Sequence, residues 1–289
     1  MPRSFPEAEV AAATGAAPLR WEPTVGRGYA RNNERWRIEL SNGRRGFVKV
    51  ALDDSAAEWL RTEFLLYSSV RGSFMPELLG WHDEGRTVLV IEDLSDAYWP
   101  PPWSDEQIAA VCAALDRLHA ETPPDGLPSL ADEREWLDGW PVVAEDPEPL
   151  VSTGVCSLAW LESALPELRR ASAECELAGE ALLHLDVRSD NLCFRDGDAM
   201  LVDWNFACVG DPMLDLVAWL PSLRLEGGPE PWTMIEETGG LASLICGFFA
   251  ARAGLPPPPT APTVRAVQRA QAEVALAWAA RELDLPPPG

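Results

Sequence analysis

Along the first third of the chain, apolar and polar side chains alternate. Residues 34–40 (ERWRIEL) alternate in polarity, Asn42-Gly43 follows, and 46–51 (GFVKVA) resumes an extended pattern, which together predict a β-hairpin. Residues 55–70 change to helical spacing, with Asp53, Asp54 or Ser55 as the N-cap. A further extended run at 86–91 (RTVLVI) predicts another strand. Beyond Trp103 the period is mainly helical: 104–121, opened by Ser104-Asp105-Glu106, then 157–179, 212–220, 232–252 and 263–283. Proline-rich stretches at 98–103 (YWPPPW), 122–128, 146–149 and 255–262 separate neighbouring helices. The pattern therefore predicts an α+β chain of two lobes, a small mixed β-sheet N-lobe over 1–93 and a larger, mainly helical C-lobe over 94–289.

Charge narrows the partners. The 289 residues carry 46 acidic and 23 basic side chains, a formal charge of −23, and 47% are apolar. So acidic a chain repels phosphate backbones and anionic lipid, which argues against nucleic acid and membrane surfaces as partners unless charge is strongly segregated and favours a cationic small molecule. The six cysteines include no CxxC pair and no neighbouring histidine cluster, so they are expected to be mostly buried thiols rather than zinc ligands. The first ten residues, with Glu7 and Glu9, lack a signal-peptide pattern, and the apolar run at 241–251 is too short to span a bilayer. A reduced, cytoplasmic protein is expected.

The densest chemistry lies at Leu183-His184-Leu185-Asp186-Val187-Arg188-Ser189-Asp190-Asn191-Leu192, followed by Met200-Leu201-Val202-Asp203-Trp204. The spacing is His-x-Asp-x4-Asn with a second Asp twelve residues on. Phosphoryl transfer needs a carboxylate to orient and deprotonate the attacking hydroxyl, and hard oxygen ligands to hold magnesium against nucleotide phosphates. Asp186, Asn191 and Asp203 supply those groups.

A second clue is the base count. Of the 23 basic residues 22 are Arg, and Lys49 is the sole Lys. A compact ammonium kept among Phe47, Val48 and Val50 on a strand suggests a site that needs a point charge, such as the α- and β-phosphates of a nucleotide. No Gly-Lys-Ser/Thr exists, so a Walker A loop is excluded. Lys49 needs an acid from the following helix, and Glu58 and Glu63 both qualify. Trp59, Glu63, Leu66 and Val70 fall on one apolar stripe, which selects Glu63 as the inward carboxylate. Asp215 is the only charge in the apolar segment 212–220 and must be hydrogen-bonded if buried.

At these motifs the chain resembles the aminoglycoside phosphotransferase and choline kinase group, small-molecule kinases with the bilobal protein-kinase-like fold, over about residues 25–220. The resemblance implies that Asp186 is the catalytic base, that His184 braces its loop, and that Asn191 and Asp203 bind Mg2+. It implies that Asp215 anchors the backbone of the catalytic loop. Arg188 would offset charge on the moving phosphoryl group or serve as an exposed salt-bridge partner. Val25-Gly26-Arg27-Gly28-Tyr29-Ala30-Arg31 resembles a phosphate-covering loop, although without a third glycine it equally fits an ordinary turn. Glu92 and Leu94 lie where the resemblance places the purine-binding hinge, with ATP or GTP as donor.

For the acceptor the lead is again charge. Residues 121–180 hold 14 acids and three Arg, which suits an aminated substrate, with Trp136 or Trp140 available to stack on a ring or cation. The sequence thus predicts a kinase acting on a hydroxyl of a small cationic molecule, an aminoglycoside-like antibiotic first. Choline, another amino alcohol or an amino sugar is the alternative acceptor, and a catalytically silent nucleotide-binding sensor or scaffold is the alternative of another class.

Overall fold

The computed structural model describes residues 4–25 and 32–288. The fold is bilobal α+β and protein-kinase-like, with a β-sheet lobe and a larger helical lobe. In chain order the elements are α1 (Glu7–Thr14), β1 (Pro18–Pro23), β2 (Asn33–Leu40), β3 (Arg45–Ala51), α2 (Asp54–Ser69), β4 (Leu78–His82), β5 (Val88–Glu92) and α3 (Asp105–His119). There follow α4 (Arg134–Leu137), α5 (Trp140–Glu145), α6 (Glu148–Ser152), α7 (Leu158–Glu174), β6 (Ala181–Leu183), β7 (Leu192–Arg195), β8 (Asp198–Leu201) and β9 (Cys208–Gly210). The chain ends with α8 (Met213–Leu225), α9 (Pro231–Met234), α10 (Gly239–Ala253) and α11 (Val264–Glu282).

By their contacts the residues group into two compact units. The first comprises 1–100, 104–126 and 189–207. Its sheet runs β1-β2-β3-β5-β4, each pairing antiparallel. Alternate residues Trp36, Ile38, Val48, Val50, Val88 and Val90 bury one face, against which Val10 of α1 packs. The hairpin closes through Ser41-Asn42-Gly43, where Gly43 at φ +85° takes the left-handed conformation a glycine tolerates. Asp53 caps α2, its carboxylate accepting from the Ala56 N–H at 2.8 Å. The β7–β8 hairpin belongs to this unit, and α3 packs on it behind a Ser104/Gln107 capping box.

The second unit comprises 101–103, 127–188 and 208–289, a set of helices gathered around α10, which contacts α7 and α11 most extensively. Three predicted helices have different limits here. The expected 157–179 stops at Glu174, where Arg134 donates to the Ser172 and Cys175 carbonyls and closes the end of α7. The expected 212–220 continues through Pro221 to Leu225, because the fully buried Leu220 and Leu223 hold the turn that proline weakens. The expected 232–252 divides into α9 and α10: Glu237 takes a left-handed φ of +57°, and Gly240 lies so close to Cys175 that an added Cβ would stand 2.7 Å from its Cβ.

Cys156, Cys193, Cys208 and Cys246 are buried, and none of the six cysteines is in a disulfide. Among the described residues no helix is long and apolar enough to cross a membrane.

Candidate active site

Lys49 sits in the middle of β3 and is 4% exposed. Its ammonium donates to both oxygens of Glu63, at 2.7 and 2.8 Å, and to Asp203 Oδ1 at 3.0 Å. Glu63 is wholly buried on the inner face of α2, whereas Glu58 is exposed, so the apolar stripe selected the inward acid. Burial works against the charge on Lys49, but Asp203 and Glu63 outweigh it and hold the ammonium above its ordinary range. For Glu63 burial dominates over the pull of Lys49 and pushes its carboxyl up to about 7. Asp203 sits at φ +70°, a backbone strain of roughly 1 kcal/mol or more. Its carboxylate also accepts from Asn205 Nδ2 at 2.7 Å.

Lys49 and Asp203 belong to the wall of a cavity of about 510 Å³ within the first unit, a size suited to a small ligand. The wall continues through Ile91 and Glu92 at the end of β5 and Leu94, Tyr98 and Trp99 in the segment that follows. That segment is fastened to β7. Tyr98 and Phe194 exchange backbone hydrogen bonds of 2.9 and 2.7 Å, and Arg195 binds the Glu92 carboxylate, the Asp93 carbonyl at 3.2 Å and the Asp96 carboxylate at 3.2 Å. The sequence reading missed Arg35, Arg37 and Asp190, which also line the cavity. Arg35 stands opposite Lys49 in the β2–β3 ladder, so their side chains share a face.

Asn191 is buried just before β7, and its carbonyl accepts from the Val202 N–H at 2.9 Å. The hairpin therefore brings the backbone of Asn191 beside the residue preceding Asp203. Among the described residues no group of three or more His, Cys, Asp and Glu is arranged to hold a metal alone. The donor set of one carboxylate and one amide oxygen fits a hard cation that takes its remaining ligands from phosphates and water, as Mg2+ does.

The loop at 184–188 belongs to the second unit. Asp215 is wholly buried near the start of α8, and its carboxylate accepts from the His184 N–H at 3.0 Å and the Leu185 N–H at 2.6 Å. Those bonds hold Leu185 at φ +56°. The buried His184 ring accepts the Asp186 N–H at Nδ1, 3.2 Å away, and Arg188 Nε lies 3.2 Å from Asp186 Oδ1. The Asp211 carboxylate accepts from the Met213 N–H at 2.9 Å, and Pro212 stands at the N-cap of α8.

Two expectations fare differently. Gly26 and Gly28 lie outside the described residues. Trp140, considered as a stacking surface, is fully buried, with its indole N–H donating to the Ser243 carbonyl at 2.8 Å, so it has no face to offer a ligand. Trp136 is 39% exposed and packs edge-on against Phe248.

The comparisons agree with this architecture. No curated protein matches the chain by sequence. Solved structures with the same fold include a choline/ethanolamine kinase family protein from Mesorhizobium loti, with 16% identity and a TM-score of 0.59, covering 96% of this chain and 95% of that one. The amicoumacin kinase hAmiN, in complex with AMP-PNP and Ca2+, has 12% identity and a TM-score of 0.58, covering 92% and 91%. A fructosamine-3-kinase-like structure from Thermobifida fusca YX-ER1 has 21% identity and a TM-score of 0.56, covering 94% and 98%. The family model described as phosphotransferase enzyme family matches residues 24–242, well over half of the length, and the chain belongs to that family.

Proposed function

We propose that the protein transfers the γ-phosphate of a nucleoside triphosphate to a hydroxyl of a small, amine-bearing molecule. The observation that carries this reading is the buried Lys49, clasped by Glu63 and Asp203 at the wall of a nucleotide-sized cavity. An ammonium so held is a fixed point charge for phosphate oxygens. Glu63 keeps it aimed, and Arg35 adds a second cation on the same face.

Asn191 and Asp203 would hold Mg2+, which would neutralise charge on the nucleotide's phosphate oxygens. Asp186 accepts the proton of the attacking hydroxyl, so its carboxylate must be ionised and aimed. His184 fixes its backbone, and Arg188 holds one of its oxygens. Asp215 fixes the backbone of the loop from behind.

The acidic stretch 121–180 supports a cationic acceptor, and Trp136, 39% exposed, is a candidate stacking surface there. An aminoglycoside-like antibiotic is the first acceptor to test, with choline, other amino alcohols and amino sugars in the same panel. The similar structures of a choline/ethanolamine kinase family protein and a fructosamine-3-kinase-like protein support including amino alcohols and amino sugars. The test is phosphate transfer from Mg-ATP or Mg-GTP across that panel, beside thermal melts with each nucleotide. Transfer to one class of acceptor establishes the reading. Stabilisation by nucleotide without transfer to any acceptor points to a silent sensor instead.

A further inference from the structure

We infer that Trp99 makes the cavity selective for adenine over guanine nucleotides by occupying the Leu94 carbonyl, an inference that rests on the phosphotransferase reading above. Residues 92–95 line the cavity, and a base held there under that reading would face their backbone groups, most of which are already in use. The Glu92 N–H donates to the Glu77 carbonyl at 2.9 Å, and the Asp93 N–H to the Arg45 carbonyl at 3.3 Å. The Asp93 carbonyl accepts from Arg195, and the Ser95 N–H donates to the Asp93 carboxylate at 3.1 Å.

Leu94 is the decisive residue. Its carbonyl accepts twice, from the Trp99 indole N–H at 3.1 Å and from the Ala97 N–H at 3.1 Å, so both lone pairs are engaged. Its own N–H makes no hydrogen bond among the described residues. Leu94 thus presents a donor and no acceptor to the cavity it lines.

Adenine offers an acceptor at N1, which matches that donor. Guanine and hypoxanthine carry a hydrogen at N1 and need an acceptor there, so binding either would strand a polar group or break the Trp99 bond. Trp99 also packs on the cluster of Leu94, Cys193 and Met200, which keeps its indole directed at the carbonyl.

The experiment measures Kd for Mg-ATP, Mg-GTP and Mg-ITP by calorimetry on the full chain and on Trp99→Phe, which keeps a ring but loses the N–H. ATP is expected to bind wild type about 10-fold or more tightly than GTP or ITP, the equivalent of one unmatched hydrogen bond. Trp99→Phe should narrow that gap by roughly 5-fold, read as the ratio of the GTP and ITP Kd values to the ATP Kd measured on the same variant. Equal affinity of wild type for the three nucleotides overturns the inference, as does an unchanged gap in a folded Trp99→Phe. Trp99→Leu, which also lacks the donor, is measured beside it, and the wild-type comparison stands without either variant. A wild type that binds none of the three and transfers no phosphate defeats the kinase reading itself, a distinguishable result.

Discussion

Arg35 and Lys49 are direct cross-strand partners in the β2–β3 ladder, and both side chains reach the wall of one cavity. Two cations at adjacent positions on a sheet face repel one another unless anions lie between or beside them. Glu63 and Asp203 meet that need for Lys49, and a bound polyphosphate would add anionic charge beside both cations. Arg35→Gln should therefore weaken ATP and ADP binding roughly 5-fold while leaving adenosine unaffected. Titrations with all three ligands check this, and equal losses for adenosine would show that Arg35 acts on the base end or on folding.

Glu63→Gln separates charge from shape at the buried pair. The raised carboxyl of Glu63 means that the folded protein holds a proton which the unfolded chain releases near its ordinary value of 4.5. Its contribution to stability is therefore fully present below about pH 4.5 and is lost as pH rises through about 7. The wild type's melting temperature minus that of Glu63→Gln should fall across this window. A flat difference would show that Glu63 does not titrate there.

Asp186→Asn keeps the size of the side chain and removes the proton acceptor. Turnover should drop by about 100-fold or more, while the melting shift produced by Mg-ATP persists. A variant that retains full rate would remove Asp186 from proton transfer.

Asp215→Ala leaves the His184 and Leu185 N–H groups without their buried acceptor. A loss of about 2–4 kcal/mol in unfolding free energy is expected, read by denaturant titration. Turnover should fall further than this loss accounts for, since the bond from the Leu185 N–H to Asp215 helps to hold that residue left-handed beside Asp186.

Much of this arrangement is legible before any coordinates, for reasons that differ by residue. Lys49 stands out because it is the only lysine, and Glu63 because a carboxylate on an apolar stripe must meet a cation. Asp215 is conspicuous in the same way, as the one charge in the apolar run 212–220. Arg35 is hidden because register decides which way it faces. A two-residue turn at Asn42-Gly43 would set Trp36 opposite Lys49, but the loop takes three residues and moves Arg35 into that place. Trp99 is hidden because its role depends on a bond to a carbonyl five residues earlier, which no periodicity encodes. The short strands β6 to β9 are missed because three or four residues carry too little alternation to register.

The Tyr98–Phe194 backbone exchange, reinforced by Arg195, has a kinetic consequence. A ligand arriving at this wall meets polar groups that already hold their positions, so little chain entropy remains to be lost on docking. Nucleotide capture should then be limited by diffusional encounter, with an association rate that varies little among variants and a residence time that absorbs most differences in affinity.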